Sequence, residues 1–530
     1  MSTGRADAPA AFWRALPEDL KALLRLGFTG RSHLLDVAGR CLRAGRTELA
    51  ETLAGALAEI AGDALNTLAA DHPLDGGLAA ELLATGSAVA LLPPETLARL
   101  RILADHWTRP ADAAPLLDIL AARDFGRIRA FLDRAVRDEP GNLFWREQAV
   151  TVGAVENAPD FVFACLEAVA PEAVRPVLGV AMTRARALFS PMGTPPPEAL
   201  LAAARRAPWN ASLVLRAFDA LSGVAVQRCP LPGRTAVLLY SWNKADELDA
   251  TLASLLAADL TGCSVFVLDN GSTDGTAEVL ARRGARFADV LGADRFTVVS
   301  LPVNIGAAAA RNWLLHLDAV QAHDFCCYLD DDVELPPDWL ARLGAAVKRY
   351  PEAGVWGCKV VDHANPLCIQ SADSHLAMDP TERADLTRLA PNPFSLTDLH
   401  VQTLDTGGFD FLRPCASVTG CCHLFRTRTL LESGDFAIQL SPSQYDDMEH
   451  DLRLCEAGRF PVYQGHLAVR HRKRTGAASL TSAQEHGSAL GNKYKMQTMH
   501  TRADIADALT AEQALLEADL LGKFEYLEGV

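Results

Sequence analysis

Through about the first 225 residues, apolar side chains recur at helical spacing, as in Leu34-Leu35-Val37-Ala38-Cys41-Leu42 and Leu116-Leu117-Ile119-Leu120, the pattern of helices that bury one face. Strand-like runs are nearly absent there, so this part is expected to be all helical. The stretch Arg228-Cys229-Pro230-Leu231-Pro232-Gly233-Arg234 breaks the pattern and reads as a linker. After it the periodicity changes. Short apolar runs at Ala236 to Tyr240, Val265 to Leu268 and Phe296 to Leu301 alternate with helical stretches such as Leu248 to Ala257 and Thr276 to Arg283. That alternation predicts an α/β fold, a sheet wrapped by helices with its ligands at the carboxyl ends of the strands. Thr510 and Gln513 stand as a capping box ahead of Leu515-Leu516, so the end of the chain is expected to be helical and to pack back on the core. The expected divisions are 1–228, 229–480 and 481–530.

The bulk numbers agree with several domains and exclude some partners. At 530 residues the chain exceeds what one core normally organises. A net charge of -16 argues against general affinity for nucleic acid or anionic lipid, so any phosphate must meet a local basic site. The 12 cysteines include the adjacent pairs Cys326-Cys327 and Cys421-Cys422 but no CxxC, and they read as buried thiols. Met1 to Gly30 has no basic region followed by an apolar core, and no stretch approaches the roughly 20 apolar residues of a membrane span, so a cytoplasmic location is expected.

Chemistry gathers where strands should end. Asp330, Asp331 and Asp332 follow the apolar run Phe325 to Leu329, and massed carboxylates repel one another unless a cation sits among them; the alternative is a solvated acidic turn. Asp269 to Thr276 (DNGSTDGT) reads as a capped strand-to-helix turn, with Asp269 placed to accept a hydrogen bond from a ligand across the sheet edge. Asn304-Ile305-Gly306 leads through four alanines to Arg311-Asn312. Such a helix start lets backbone approach a nucleotide with one positive charge nearby, or else packs tightly with its arginine in solvent. Arg470, Arg472, Lys473 and Arg474 form the densest basic cluster of this acidic chain.

Taken in order, these segments resemble the family 2 glycosyltransferases of the GT-A fold. Tyr240 to Asn243 sits at the family's opening turn, Asp269 to Thr276 matches DxGSxDGT, Asn304 to Asn312 matches NxGxxxARN, and Leu329 to Val333 matches the Asp-x-Asp strand end. Val418 to Arg426, Gly434-Asp435-Phe436, Asp446 to Arg453 with Gly458, and Val469-Arg470-His471 continue the series, so the resemblance covers residues 234 to 475. It departs from the family in having Ser241 and Trp242 in the opening turn, Asp446-Asp447 for Glu-Asp, and no landmark between residues 362 and 415. The Q-x-x-R-W block of processive synthases is missing, which implies addition of single sugars.

The resemblance implies a GT-A-type, Rossmann-like mixed sheet and an enzyme that moves one sugar from a nucleotide-sugar donor, expected to be a UDP-sugar. It implies donor contacts from Tyr240, Trp242, Asp269, Asn304, Gly306, Arg311, Asp330 and Asp331, and a Mn²⁺ or Mg²⁺ ion on Asp332 and His471. Arg472 and Arg474 are the diphosphate candidates. Asp447 is the expected base of a single, inverting displacement, with Glu449 as the alternative. The helical segment lies outside the resemblance. Its turn signatures Pro140-Gly141-Asn142-Leu143 and Pro208-Trp209-Asn210-Ala211 stand 68 residues apart, twice the 34-residue period of tetratricopeptide pairs, so it is either a degenerate helical repeat or an irregular bundle. It is expected to recruit a protein, peptide or glycan acceptor or to mediate oligomerisation. The competing reading is a helical-repeat scaffold carrying an inactive transferase-like domain.

Overall fold

The computed structural model describes residues 9–45, 51–189, 195–378, 385–392, 394–397, 399–402, 404–473 and 482–530. Up to Val226 the described residues contain only helices and the turns between them. The helix Arg31–Ala44 buries Leu34, Val37, Ala38 and Cys41, as its spacing requires, whereas Ala114–Ala121 buries only Leu116 and leaves Leu117 55% exposed. Both turn signatures start helices. Asn142 accepts from the Phe144 N–H and Asn210 from the Leu213 N–H, each satisfying a donor that the first helical turn leaves unpaired.

The strands follow in the order β1 (Thr235–Ser241), β2 (Cys263–Asp269), β3 (Phe296–Ser300), β4 (Phe325–Leu329), β5 (Val333–Glu334), β6 (Val355–Asp362), β7 (Ile369–Ser371), β8 (Leu376–Met378), β9 (Phe394–Leu396), β10 (Leu412–Pro414), β11 (Cys422–Arg426) and β12 (Val462–His471). A ten-stranded mixed sheet runs β10-β12-β6-β11-β4-β1-β2-β3, with β5 on β12 and β7 on β6. The β1, β2, β3 and β4 pairings are parallel, and β11 lies antiparallel between β4 and β6. β1, β4 and β6 are buried almost throughout, the reading that continuous apolar runs give for a sheet covered on both faces.

Helical segment and sheet share one apolar core: Trp13, Leu20, Leu215, Leu239, Trp356 and Phe524 belong to the same buried cluster. Polar contacts cross the expected boundary as well. Asn365 donates to the carbonyls of Ala154 (2.7 Å) and Val155 (2.8 Å), Asp219 accepts from the Leu412 N–H (2.7 Å), and Arg413 donates to the carbonyls of Arg25 and Leu26. The C-terminal helices Ala483–Met499 and Arg502–Glu528 do pack back, the latter against Pro9–Ala15, Ala211–Leu221 and β10. Their capping boxes are Ser482 with Glu485 and Thr501 with Asp504. Thr510 instead lies inside the last helix and donates to the Ala506 carbonyl at 2.9 Å, because the helical pattern begins a full two turns earlier than the box read at Thr510. Among the described residues no helix is long and apolar enough to cross a membrane.

Candidate active site

Three strand ends meet at one edge of the sheet. β4 stops at Leu329 and delivers Asp330, Asp331 and Asp332; the antiparallel register of β11, with Cys422 opposite Leu329, sets Cys421 beside Asp330. β5 then pairs with β12 so that His471 stands opposite Val333, one residue from Asp332. The result is an Asp332 Oδ1 to His471 Nε2 distance of 3.0 Å. Ligand atoms of Asp330, Cys421 and His471 lie within 4.8 Å of one another.

The expected repulsion among the acids is relieved by a lysine. Lys244, at the start of helix Ala245–Leu256, donates to Asp331 Oδ1 (2.9 Å) and Asp332 Oδ2 (3.0 Å). Burial alone would raise the pKa of Asp332, but the His471 hydrogen bond and the Lys244 charge hold it well below the usual carboxylate range. For Asp331 burial wins. Its pKa is pushed up to about 6, with Lys244 opposing and the Asp332 charge adding to the rise. On His471 burial works downward, yet the Asp332 hydrogen bond outweighs it and the pKa rises.

The residues expected to contact a donor fall into open and closed groups. Trp242 stands at the rim, 51% exposed. Asn304 is exposed and uses its side-chain oxygen to accept from Asn270 Nδ2 (3.0 Å) and the Gly306 N–H (2.8 Å). Gly306 has φ +85°, and a Cβ there would sit 2.8 Å from Ser441 Oγ, so both its backbone and its surroundings demand glycine. Asp269 is buried at the end of β2 and accepts from the Ser272 N–H of its own turn. Arg311 is in neither solvent nor an open pocket. Its side chain is 4% exposed, pairs with the equally buried Asp446 at 2.6 Å, and lies over the rings of Tyr240 and Phe436. Its charge is thus spent on Asp446, with Asp330 at 3.9 Å. Arg472 donates its backbone N–H to the Asp332 carbonyl; Arg474 lies outside the described residues.

Besides Asp446, three acids of helix Asp446–Glu456 have distinct surroundings. Asp451 is fully buried and accepts from Ser417 Oγ and the Val418 N–H, both at 2.9 Å. Glu449 is 3% exposed and engaged by Arg453 one turn on. Asp447 is half-buried, and its Oδ2 accepts the Gly420 N–H at 2.8 Å. A Cβ on Gly420 would meet Arg311 at 2.4 Å and Asp447 Oδ2 at 3.1 Å, so glycine is what allows the turn before β11 to approach both. Gln444 and Tyr445, just before this helix, have φ of 77° and 70°, a conformation that non-glycine residues hold only under constraint.

Sequence reasoning did not single out Lys244, Cys421 or Gln370, whose Oε1 stands 2.7 Å from His471 Nδ1. Lys244 carried a signal, being the one cation adjoining the opening turn. The other two come into place only through strand register.

Residues 236–396 match the family described as Glycosyl transferase family 2. Two curated relatives, both N-acetylglucosaminyl-diphospho-decaprenol L-rhamnosyltransferases from Mycobacterium tuberculosis strains, are 26% identical over 247 residues, covering 45% of this chain and 75% of theirs. Similar solved structures include GalNAc-T7 with UDP, GalNAc and Mn²⁺, with TM-score 0.37 and 14% identity, covering 50% of this chain and 47% of that one. The mannosyltransferase PcManGT from Pyrobaculum calidifontis, in complex with GDP-Man and Mn²⁺, has TM-score 0.36 and 17% identity, covering 62% and 85%.

Proposed function

The chain is a family 2 glycosyltransferase, and from that premise we propose that it transfers a single sugar from a nucleotide-sugar donor, a UDP-sugar, to a protein or peptide acceptor by a metal-dependent inverting displacement. The observation that carries this reading is the convergence of Asp330, Asp332, Cys421 and His471 beside Asp447 at the carboxyl edge of the sheet.

The donor set fits a divalent ion. Asp332 and His471, 3.0 Å apart, with Asp330 and Cys421 beside them, are the side chains that would hold it. An imidazole among carboxylates favours Mn²⁺ over Mg²⁺. When bound, such an ion neutralises charge on the leaving diphosphate. The chain's own groups supply the rest. Lys244 adjoins the acids as a cation for the diphosphate, and Arg472, tied to Asp332 by its backbone N–H, supplies a second from an exposed side chain. Asp447, held by the Gly420 N–H, takes the acceptor proton, and Glu449 is already committed to Arg453. Displacement at carbon by one activated acceptor inverts the anomeric centre. The protein or peptide acceptor is supported by the helices described between residues 9 and 226, which donor chemistry does not require.

One observation favours the inactive-scaffold reading: Lys244 already neutralises Asp331 and Asp332. A panel of nucleotide sugars, scored for hydrolysis and transfer with Mn²⁺ and with EDTA, decides. Turnover of one donor that EDTA abolishes is expected, with the opposite anomer in the product. Metal-independent turnover removes the ion from the reading, and inertness toward every donor removes the activity.

A further inference from the structure

The stretch between residues 362 and 415 has no counterpart among the motifs, yet one of its side chains touches the candidate metal site. Gln370, in β7, places Oε1 2.7 Å from His471 Nδ1. The other end of the same amide fixes which atom is which. Nε2 lies 2.9 Å from the Lys473 carbonyl oxygen and 3.4 Å from Asp362 Oδ2, and both of those groups only accept. The amide must therefore present NH₂ to Lys473 and Asp362 and oxygen to His471. An oxygen at 2.7 Å requires a proton on Nδ1, which leaves Nε2 as the ring atom aimed at the acids. Nε2 stands 3.0 Å from Asp332 Oδ1, and two lone pairs do not face each other at that distance unless a proton or a cation lies between them.

The position of Gln370 is itself well anchored. β7 pairs with β6, which pairs with β12 so that Asp362 stands opposite His471. His363 donates its N–H to the His471 carbonyl at 3.0 Å, and His400 Nε2 lies 3.3 Å from the Gln370 carbonyl. The backbone of Gln370 is thus held by β6 and His400 while its side-chain amide holds the imidazole.

We propose that Gln370 is a positioning residue for the metal site: by accepting from Nδ1 it fixes the tautomer and ring orientation of His471, so that Nε2 is directed toward a divalent ion shared with Asp332. The inference rests on the reading of His471 as a metal ligand. Groups that orient a ligating histidine in this way typically change metal affinity by about 10–100-fold when removed.

The test is Mn²⁺ binding to the full-length chain, measured from the electron paramagnetic resonance signal of free Mn²⁺, for wild type, Gln370→Leu and Gln370→Glu, with metal-free melting to verify folding. Leu is neutral like Gln and removes the acceptor, so affinity should fall about 10–100-fold without any change of charge. Glu keeps an acceptor for Nδ1–H but cannot donate to the Lys473 carbonyl or to Asp362, so affinity should match or exceed that of wild type if the contact to His471 is what matters. If Gln370→Glu loses as much as Gln370→Leu, the residue acts by pinning the Lys473 backbone and the proposal is overturned. Unchanged affinity in Gln370→Leu overturns it equally. Should Gln370→Leu fail to fold, Gln370→Glu decides alone: retained affinity supports the proposal, and a tenfold loss ends it. A wild-type chain that binds no Mn²⁺ rejects the metal reading and this inference with it, a result distinct from binding that Gln370 does not influence.

Discussion

Asp446 and Asp447 are adjacent in one helical turn, and the proposed mechanism gives them opposite consequences when each is replaced by Asn. Asp446 pairs with Arg311 at 2.6 Å, both side chains being 4% exposed. Asp446→Asn strands a guanidinium whose next carboxylate, Asp330, is 3.9 Å away. Removing one partner of a buried pair destabilises by about 3–5 kcal/mol, a large share of the roughly 5–15 kcal/mol that holds a native protein together. Asp447 is only half-buried, and an Asn there still offers an oxygen to the Gly420 N–H. Asp447→Asn should therefore change stability by less than about 1 kcal/mol while lowering kcat about 10²–10⁴-fold, the scale of a lost general base. Denaturant melts and single-turnover transfer on the same preparations separate the two, with donor affinity as the control expected to be unchanged in Asp447→Asn. If Asp447→Asn melts as early as Asp446→Asn, the two acids are one structural unit. If it turns over normally, the base lies elsewhere.

Three further outcomes are expected. Lys244→Met should lower metal-free stability by about 1–2 kcal/mol, since Asp331 and Asp332 lose their shared cation, and millimolar Mn²⁺ should raise its Tm more than that of wild type; equal shifts refute the idea that Lys244 and the ion relieve the same repulsion. Burial, opposed by the Trp107 N–H, pushes the Glu147 carboxyl up to about 7 from its ordinary 4.5. The folded state then holds a proton that the unfolded state has released between those values, so stability should fall as pH rises from about 4.5 to 7 and level off above, by at most about 3 kcal/mol. Glu147→Gln should flatten that slope in melts across pH 5–8, and a slope unchanged by the substitution assigns it to other groups. A chain starting at Arg234 should not melt cooperatively, because Asn365, Arg413 and the Leu412 N–H lose the partners that residues 25, 26, 154, 155 and 219 provide, each at about 1–3 kcal/mol; a soluble monomeric fragment with a wild-type Tm refutes this.

The sheet was legible because β1 and β2 are largely apolar runs and β3 a mixed one, and their observed limits fall within a few residues of the runs read from the sequence. The acids at the end of β4 were legible for the same reason, since a strand that stops at a charge announces its own end. What was hidden depends on pairing between distant segments. Nothing near Cys421 shows that Leu329 will stand opposite Cys422, and nothing near Gln370 shows that β7 will bring it to His471. Arg311 shows a different limit. A lone arginine after four alanines reads as a free cation, and only tertiary structure shows that Asp446 claims it. The Thr510 box failed because capping residues are informative only where a helix begins, and the pattern there continues uninterrupted from Arg502.

The stretch after β6 explains why a chain of two grammars has one core. Asn365 reaches the carbonyls that end helix Leu143–Val155 of the helical segment, while its own N–H is held by Asp362 Oδ1 at 2.9 Å. The second oxygen of Asp362 faces Gln370, and Gln370 faces His471. Further along, Arg413 grips Asp373 and the carbonyls of Arg25 and Leu26, Asp373 holds His375 at 2.9 Å, and His375 contacts Glu512 of the last helix at 2.8 Å. Seven of these eight side chains are buried and the eighth, Gln370, has a buried partner in His471, so the links exchange little with water and keep their geometry. Helical segment, C-terminal helix and the acid cluster are therefore tied through one inserted stretch. A substitution that displaces the Ala154 and Val155 carbonyls, and Asn365 with them, is positioned to alter the orientation of His471.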